Sequence, residues 1–227
     1  VTIKGGILIQ QLSRDKRRAT RDIDLDFLRY SIADESVRHF IETLNMGDSD
    51  FSVVIVGSIK ELRHQDYNGK RVFIRLADNE GNSIETKLDI GVHKELDLEQ
   101  SLLCFDLNKL DQGVTLFANN PEQIIAEKMK SLLRIGAAST RFRDVFDTYS
   151  FIHSKEVNRD LLQKNFDVLI FADASMREGS FEDAHDRLHN VFRNPQYLSD
   201  LKNSKDNWLG VPIDEVVQEV LDYFKEA

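Results

Sequence analysis

The sequence predicts an α+β chain, with strands and a few helices over residues 1–118 and helices alone over residues 119–227. Three observations predict it. Apolar residues alternate with polar ones at a period of two through much of the first half. They recur at helical spacing through the second half. Between the two, Asn119-Asn-Pro-Glu122 is a helix start, with a cap residue, a proline at the first helical position and an acid in the first turn. No flexible linker separates the halves, so they are expected to pack around one cleft.

The elements follow in order. Lys4-Gly5-Gly6 precedes a short apolar run, Ile7–Leu12, that can begin a helix. Ile23 and Leu25 alternate with Asp22, Asp24 and Asp26, the pattern of a half-buried strand. Ser31-Ile-Ala-Asp34 resembles a capping box, and the helix after it carries Val37, Phe40, Ile41 and Leu44 on one face. Phe51–Val56 is expected to be a buried strand. The turn signals Asn68-Gly69 and Asn79-Glu-Gly-Asn82 bracket Val72–Leu76 and lead into Ile84–Val92, which predicts a hairpin. Helices are then expected from Pro121 to about Ile135, ended by Gly136, and over roughly 140–153, 158–166, 181–192 and 212–224. The stripe Val216, Val217, Val220, Leu221 and Phe224 is core or a helix-packing face.

Composition excludes several classes. The lone Cys104 rules out an intramolecular disulfide and fits a reducing compartment. No apolar run is long enough to cross a bilayer and no signal peptide opens the chain, so a cytoplasmic location is expected. Val1–Ile3 reads like the middle of a fold, so an N-terminal stretch is expected to lie outside this chain. The net charge of -9 argues against a surface that binds nucleic acid everywhere. Residues 1–21 nevertheless carry six basic side chains against Asp15 alone, suiting either a solvated loop or a mouth that grips phosphate.

Three pieces bear chemistry. The Gly5-Gly6 pair lets backbone N–H groups approach a phosphate, though the Gly-Lys-Ser/Thr ending of a Walker P-loop is missing. Asp22 and Asp24, two apart on a strand, put both carboxylates on one side about 7 Å apart. Like charges so held repel unless a cation joins them, and oxygen-only ligands select Mg²⁺ or Mn²⁺. Asp26 extends the row more peripherally. In Lys87-Leu88-Asp89-Ile90, Lys87 and Asp89 share the face opposite the core, so Asp89 becomes a third carboxylate if this strand lies beside the first. Each piece alone has a plain alternative: a turn, a solvated strand face, a cross-strand ion pair. Arg143 and Asp147 likewise suit an ordinary i,i+4 helix pair. His185 and His189 have zinc-compatible spacing without an evident third ligand, and Trp208 or Tyr197 can stack on a base or simply pack.

In this order the pieces form the pattern of the polymerase-β-like nucleotidyltransferase fold. Their wording resembles the AbiEii/AbiGii family of nucleotidyltransferase toxins, MenT-like members included, in Lys4-Gly5-Gly6, Arg18-Ala-Thr20-Arg-Asp22-Ile-Asp24-Leu25, Lys87-Leu88-Asp89, Ala126-Glu127-Lys128 and Arg143-Asp144-Val-Phe-Asp147. The resemblance implies transfer of a nucleoside monophosphate from an NTP to an acceptor hydroxyl, on RNA such as the tRNA 3′ end or on a protein. It also implies a cognate antitoxin partner. Asp22, Asp24 and Asp89 would bind Mg²⁺ or Mn²⁺ and, with Asp147, form the catalytic set. Lys4, Gly5, Gly6, Thr20, Lys87, Lys128 and Arg143 would bind nucleotide. Ile7 stands where the family often has Thr or Ser, which removes a hydroxyl from the phosphate site. That departure motivates one alternative, a catalytically inactive relative that binds nucleotide or a partner. The other alternative is a metal-dependent transferase using Asp-x-Asp on nucleotide-sugars.

Overall fold

The computed structural model describes all residues except 14, 21, 47–49, 63–68, 94–97, 106–112, 155–156 and 227. Arg14 and Arg21 of the basic segment and Asn68 of the first turn signal therefore lie outside the described residues. The chain is α+β, and contacts divide it into two compact units, Val1–Asn119 and Asn120–Ala227.

The first unit is built on a mixed sheet. Its strands are β1 (Thr2–Lys4), β2 (Asp22–Leu28), β3 (Phe51–Ile55), β4 (Lys60–Leu62), β5 (Gly69–Asp78), β6 (Ser83–His93), β7 (Ser101–Phe105) and β8 (Val114–Ala118). The order is β3-β5-β6-β2-β1-β8-β7, with β4 also on β5. Strand β2 lies inside the sheet, antiparallel to β1 and parallel to β6. The β5–β6 hairpin forms as the turn chemistry predicts, with the Asp78 carboxylate accepting the Glu80 and Asn82 N–H groups.

One face of this sheet is apolar. Phe27, Val53, Val72, Ile74, Leu88 and Ile90 form a core with Val37 and Ile41 of α2 (Asp34–Thr43). Period-two alternation then sends Asp22, Asp24, Asp26, Lys87 and Asp89 to the other face. Three expectations are corrected here. The capping box does not form: the Ser31 hydroxyl accepts the Ala33 N–H, and the helix starts at Asp34 with no side-chain cap. Leu44 lies past the helix end and is exposed. Strand β3 is an edge strand with Phe51 and Val54 exposed, because it pairs with β5 on one side only. Strands β4, β7 and β8 lacked a strong period-two signal.

The second unit is helical: α3 (Pro121–Ile135), α4 (Phe142–Ser154), α5 (Arg159–Phe166), α6 (Phe181–Arg193), α7 (Pro195–Asn203) and α8 (Ile213–Lys225). Asn120 caps α3 by accepting the Gln123 N–H at 2.7 Å, and Gly136 ends that helix at φ +67°. Phe166, Phe171, Phe181 and Phe224 stack edge to face or tilted at the centre of the unit. Of the C-terminal stripe, Val216, Val220 and Phe224 are buried. No helix among the described residues is long and apolar enough to cross a membrane.

Candidate active site

The polar face of the first unit is organised by register. Lys4 pairs with Asp24, Asp24 with Asp89, and Asp89 with Arg71, so one row across β1, β2, β6 and β5 reads cation, acid, acid, cation. Asp22 stands one step along the same face, opposite Lys87. The structure thus brings Asp22, Asp24 and Asp89 to one side of two adjacent strands.

Each acid is already engaged by the protein. Arg71 grips Asp89 with two hydrogen bonds, Nε to Oδ1 at 2.7 Å and Nη2 to Oδ2 at 2.6 Å. Lys87 lies 3.0 Å from Asp22. Buried Lys4 reaches Asp26 at 2.7 Å, and Asp26 is buried with it. Among the described residues no three His, Cys, Asp or Glu side chains gather closely enough to form a ready metal cluster. His185 and His189 stack on each other, without a third ligand.

Asp24 is held by the Gly6 N–H and the nearby Lys4. Burial pushes its carboxyl above the ordinary range, and repulsion from Asp89 adds to that push. Lys4 and the Gly6 N–H pull it back, and Asp22 adds a smaller push upward. Asp22, Asp24 and Asp89 offer only oxygen, the donor type that a divalent cation takes, but as they stand among the described residues they are not drawn together into a ready site.

Gly5 and Gly6 have a local reason to be glycine. Strand β1 passes directly into α1 (Gly5–Ser13), with Gly5 at φ +68°. A Cβ on Gly5 would overlap the Asp24 carboxylate, and one on Gly6 would overlap the Thr20 hydroxyl. Thr20 Oγ1 also donates to the Asp22 carbonyl, bracing the entry to β2. Gly5→Ala is expected to cost about 1–2 kcal/mol from the left-handed backbone alone, with a further loss from displacing Asp24. Thermal unfolding checks this, and a wild-type midpoint would show that the carboxylate yields freely.

The second unit gathers Lys128, Asp144 and Asp147 in one buried cluster. Lys128 on α3 lies 2.9 Å from Asp147 Oδ2 and also donates to Asp144 Oδ1. Burial alone would lower the Lys128 ammonium, but Asp144 and Asp147 outweigh it and hold the pKa up. Arg141 Nε approaches the second oxygen of Asp144 at 2.7 Å. Asp147 is wholly buried, and its Oδ1 accepts the Trp208 indole N–H at 3.0 Å. Asp147 therefore orients Lys128 and has no surface of its own to offer a substrate. Arg143 does not pair with Asp147; it turns to Asp206. Tyr197 is buried beneath the cluster rather than free to stack on a base.

From sequence, Arg71 and Asp144 receive no role of their own, and Trp208 reads only as a residue that can stack on a base or pack. Arg71 was legible there: a hairpin turning at 79–82 sets 71 opposite 89.

Comparison with known proteins completes the assignment. No curated protein matches the chain. Residues 1–220 of 227 match the family described as "Nucleotidyl transferase AbiEii toxin, Type IV TA system". With that match running through both the acid-bearing sheet and the helical cluster, the chain belongs to the AbiEii family of nucleotidyltransferase toxins of type IV toxin–antitoxin systems.

Proposed function

We propose that the protein transfers a nucleoside monophosphate from an NTP to a hydroxyl on RNA, with the tRNA 3′ end as the favoured acceptor, and that a cognate antitoxin restrains it. The observation that carries the reading is the register of Asp24 against Asp89, beside Asp22, at the Gly5-Gly6 strand-to-helix turn. In the reaction the acceptor oxygen bonds to the α-phosphorus. The bond from that phosphorus to the bridging oxygen breaks, and pyrophosphate leaves. The acceptor hydroxyl gives up its proton toward Asp89, which must first free an oxygen from Arg71. Asp22, Asp24 and Asp89 would hold Mg²⁺ or Mn²⁺, which when bound supplies neutralisation of the triphosphate charge. Within the helical unit, Asp144 and Asp147 keep Lys128 charged.

One observation favours a second reading. Asp22 and Asp89 each have a protein cation, and Ile7 offers no hydroxyl, as in an inactive relative that only binds nucleotide. Incubating the protein with RNA, each radiolabelled NTP and Mg²⁺ separates the two. Label on RNA that requires the metal supports transfer; nucleotide binding without label supports the alternative. A thermal shift with nucleotide-sugars and none with NTPs would favour the third class.

Arg71 gives a further prediction. Arg71→Ala leaves Asp89 without its bidentate partner, and the metal-free protein is expected to lose roughly 1–3 kcal/mol. Mg²⁺ should restore more of that loss than it adds to wild type, because Arg71 and the cation compete for the same oxygens. Equal metal-induced shifts in the two proteins would show that they do not compete.

A further inference from the structure

The sheet face that carries the acids continues past them onto β5 and β4. Register extends the row of Asp24 and Asp89 to Arg71 and on to Lys60 of β4. The neighbouring row runs from Asp22 to Lys87 and on to Phe73. Arg71, Phe73 and Arg75 alternate along β5, so all three stand on this face. Phe73 is exposed there, while Val72 and Ile74 on either side of it are buried on the opposite face. Lys60 is exposed too, with its Nζ 5.2 Å from the centroid of the Phe73 ring. Arg75 shares its charge with Glu85, and Lys87 shares its own with Asp22. An exposed ring set among cations is the make-up of a surface that takes a nucleic-acid strand: the ring stacks on a base and the cations meet phosphates.

We propose that this stretch of β4, β5 and β6 receives the single-stranded end of the acceptor RNA, with Phe73 stacking on a base and Lys60 and Arg75 meeting the phosphates beside it. This rests on the transferase reading above. The direction of the reaction selects the acceptor over the NTP as occupant. The bond that forms at the α-phosphorus and the bond that breaks lie roughly in line. With the triphosphate at the Gly5-Gly6 turn, next to Asp24 on β2, pyrophosphate leaves on that side. The acceptor oxygen then approaches from the other side, over β6 and β5. Phe73 stands one strand beyond Lys87 and two beyond Asp22, at about 5 Å for each step, near enough to hold a nucleotide close to the reacting end. A base inside a duplex has no free face to offer a ring, so a single strand is the form recognised.

The test uses the full chain, Mg²⁺ and a fluorescein-labelled single-stranded oligoribonucleotide with a free 3′ hydroxyl. Stacking tolerates any base, so the order of bases in the probe is not critical. Binding is read by fluorescence anisotropy without NTP, and transfer is read with the radiolabelled NTPs. Phe73→Ala should weaken binding roughly 10- to 100-fold, the worth of one stacked base. Its KM for RNA should rise by a similar factor, with kcat and the KM for NTP unchanged, and Phe73→Trp should restore both. Lys60→Gln should flatten the slope of log affinity against log salt by roughly 0.7, one phosphate contact on a single strand. That variant changes an exposed side chain and decides the matter even where Phe73→Ala does not fold. RNA affinity within twofold of wild type in Phe73→Ala overturns the proposal, as does an unchanged salt slope in Lys60→Gln. So does a blunt RNA duplex that binds as well as the single strand. A rise in the KM for NTP alone also overturns it, since the ring would then hold the NTP base. Failure of the transferase reading looks different. RNA that binds through Phe73 but never takes label would sink transfer and leave this surface standing, whereas labelled RNA with an unchanged KM in Phe73→Ala would sink this surface alone.

Discussion

Replacing Asp24 by Asn is expected to abolish nucleotide transfer while making the metal-free protein harder to unfold at neutral pH. The two effects share a cause. Burial, and then repulsion from Asp89, raise the Asp24 pKa above its ordinary range. A raised carboxyl holds its proton in the folded protein at a pH where the unfolded chain has already lost it. Stability is therefore highest below the unfolded pKa. It falls as pH climbs through the window between the unfolded and folded values, and above that window the ionised carboxylate remains a cost. Asn carries no charge at any pH and can still accept the Gly6 N–H, so the variant should lack this slope. The gain should appear as a higher unfolding midpoint of the variant at neutral pH. Thermal melts from pH 4 to 8 compare the two proteins, and added Mg²⁺ should close the gap by stabilising wild type alone. A variant no more stable than wild type at neutral pH would mean that Asp24 is already adequately neutralised. Residual transfer would remove it from the catalytic set.

The largest loss of stability is expected from Lys128→Met. Lys128 sits between Asp144 and Asp147, and removing it takes a buried cation from both and leaves Asp144 to Arg141. Breaking a buried ion pair on one side costs about 3–5 kcal/mol, because the remaining charge stays desolvated. The raised Lys128 pKa gives the sign in wild type. The cluster's contribution is complete below the unfolded lysine value and is lost only as pH rises past the folded one. Adding Asp147→Asn to Lys128→Met should recover part of the loss, since the amide still accepts the Trp208 N–H without leaving a charge. Denaturant unfolding of the single and double variants checks both statements. A single variant within about 0.5 kcal/mol of wild type would show that the carboxylates find other partners.

Much of this was legible in the amino-acid order, and what was not has physical reasons. The acids of β2 and β6 announced themselves because alternation with Ile23, Leu25, Leu88 and Ile90 leaves them one face. Their neutralisation was legible only in part, through the predicted hairpin. Arg71 is distant in sequence from Asp89, and only the hairpin register joins them. Arg143 and Asp147 have the spacing of a helix pair, yet both point to the loop at 206–208, a partner that local periodicity does not encode. Helix α7 was missed although Asn194 and Pro195 repeat the cap and proline seen at Asn120 and Pro121, because its apolar face is short. Edge strand β3 looked buried because its composition matches an inner strand, and sheet position is a property of the whole topology.

The placement of β2 between β1 and β6 bears on how the chain avoids folding wrongly. A shift of one residue in its pairing would turn Asp22, Asp24 and Asp26 into the oily layer under α2 and send Ile23, Leu25 and Phe27 outward. The acids needed for chemistry thereby act as keys for assembly, since a mispaired sheet would have to swallow three charges at once. Mutating them for function also loosens that lock, so variants neutralised at all three positions should refold less faithfully than their native-state stability suggests.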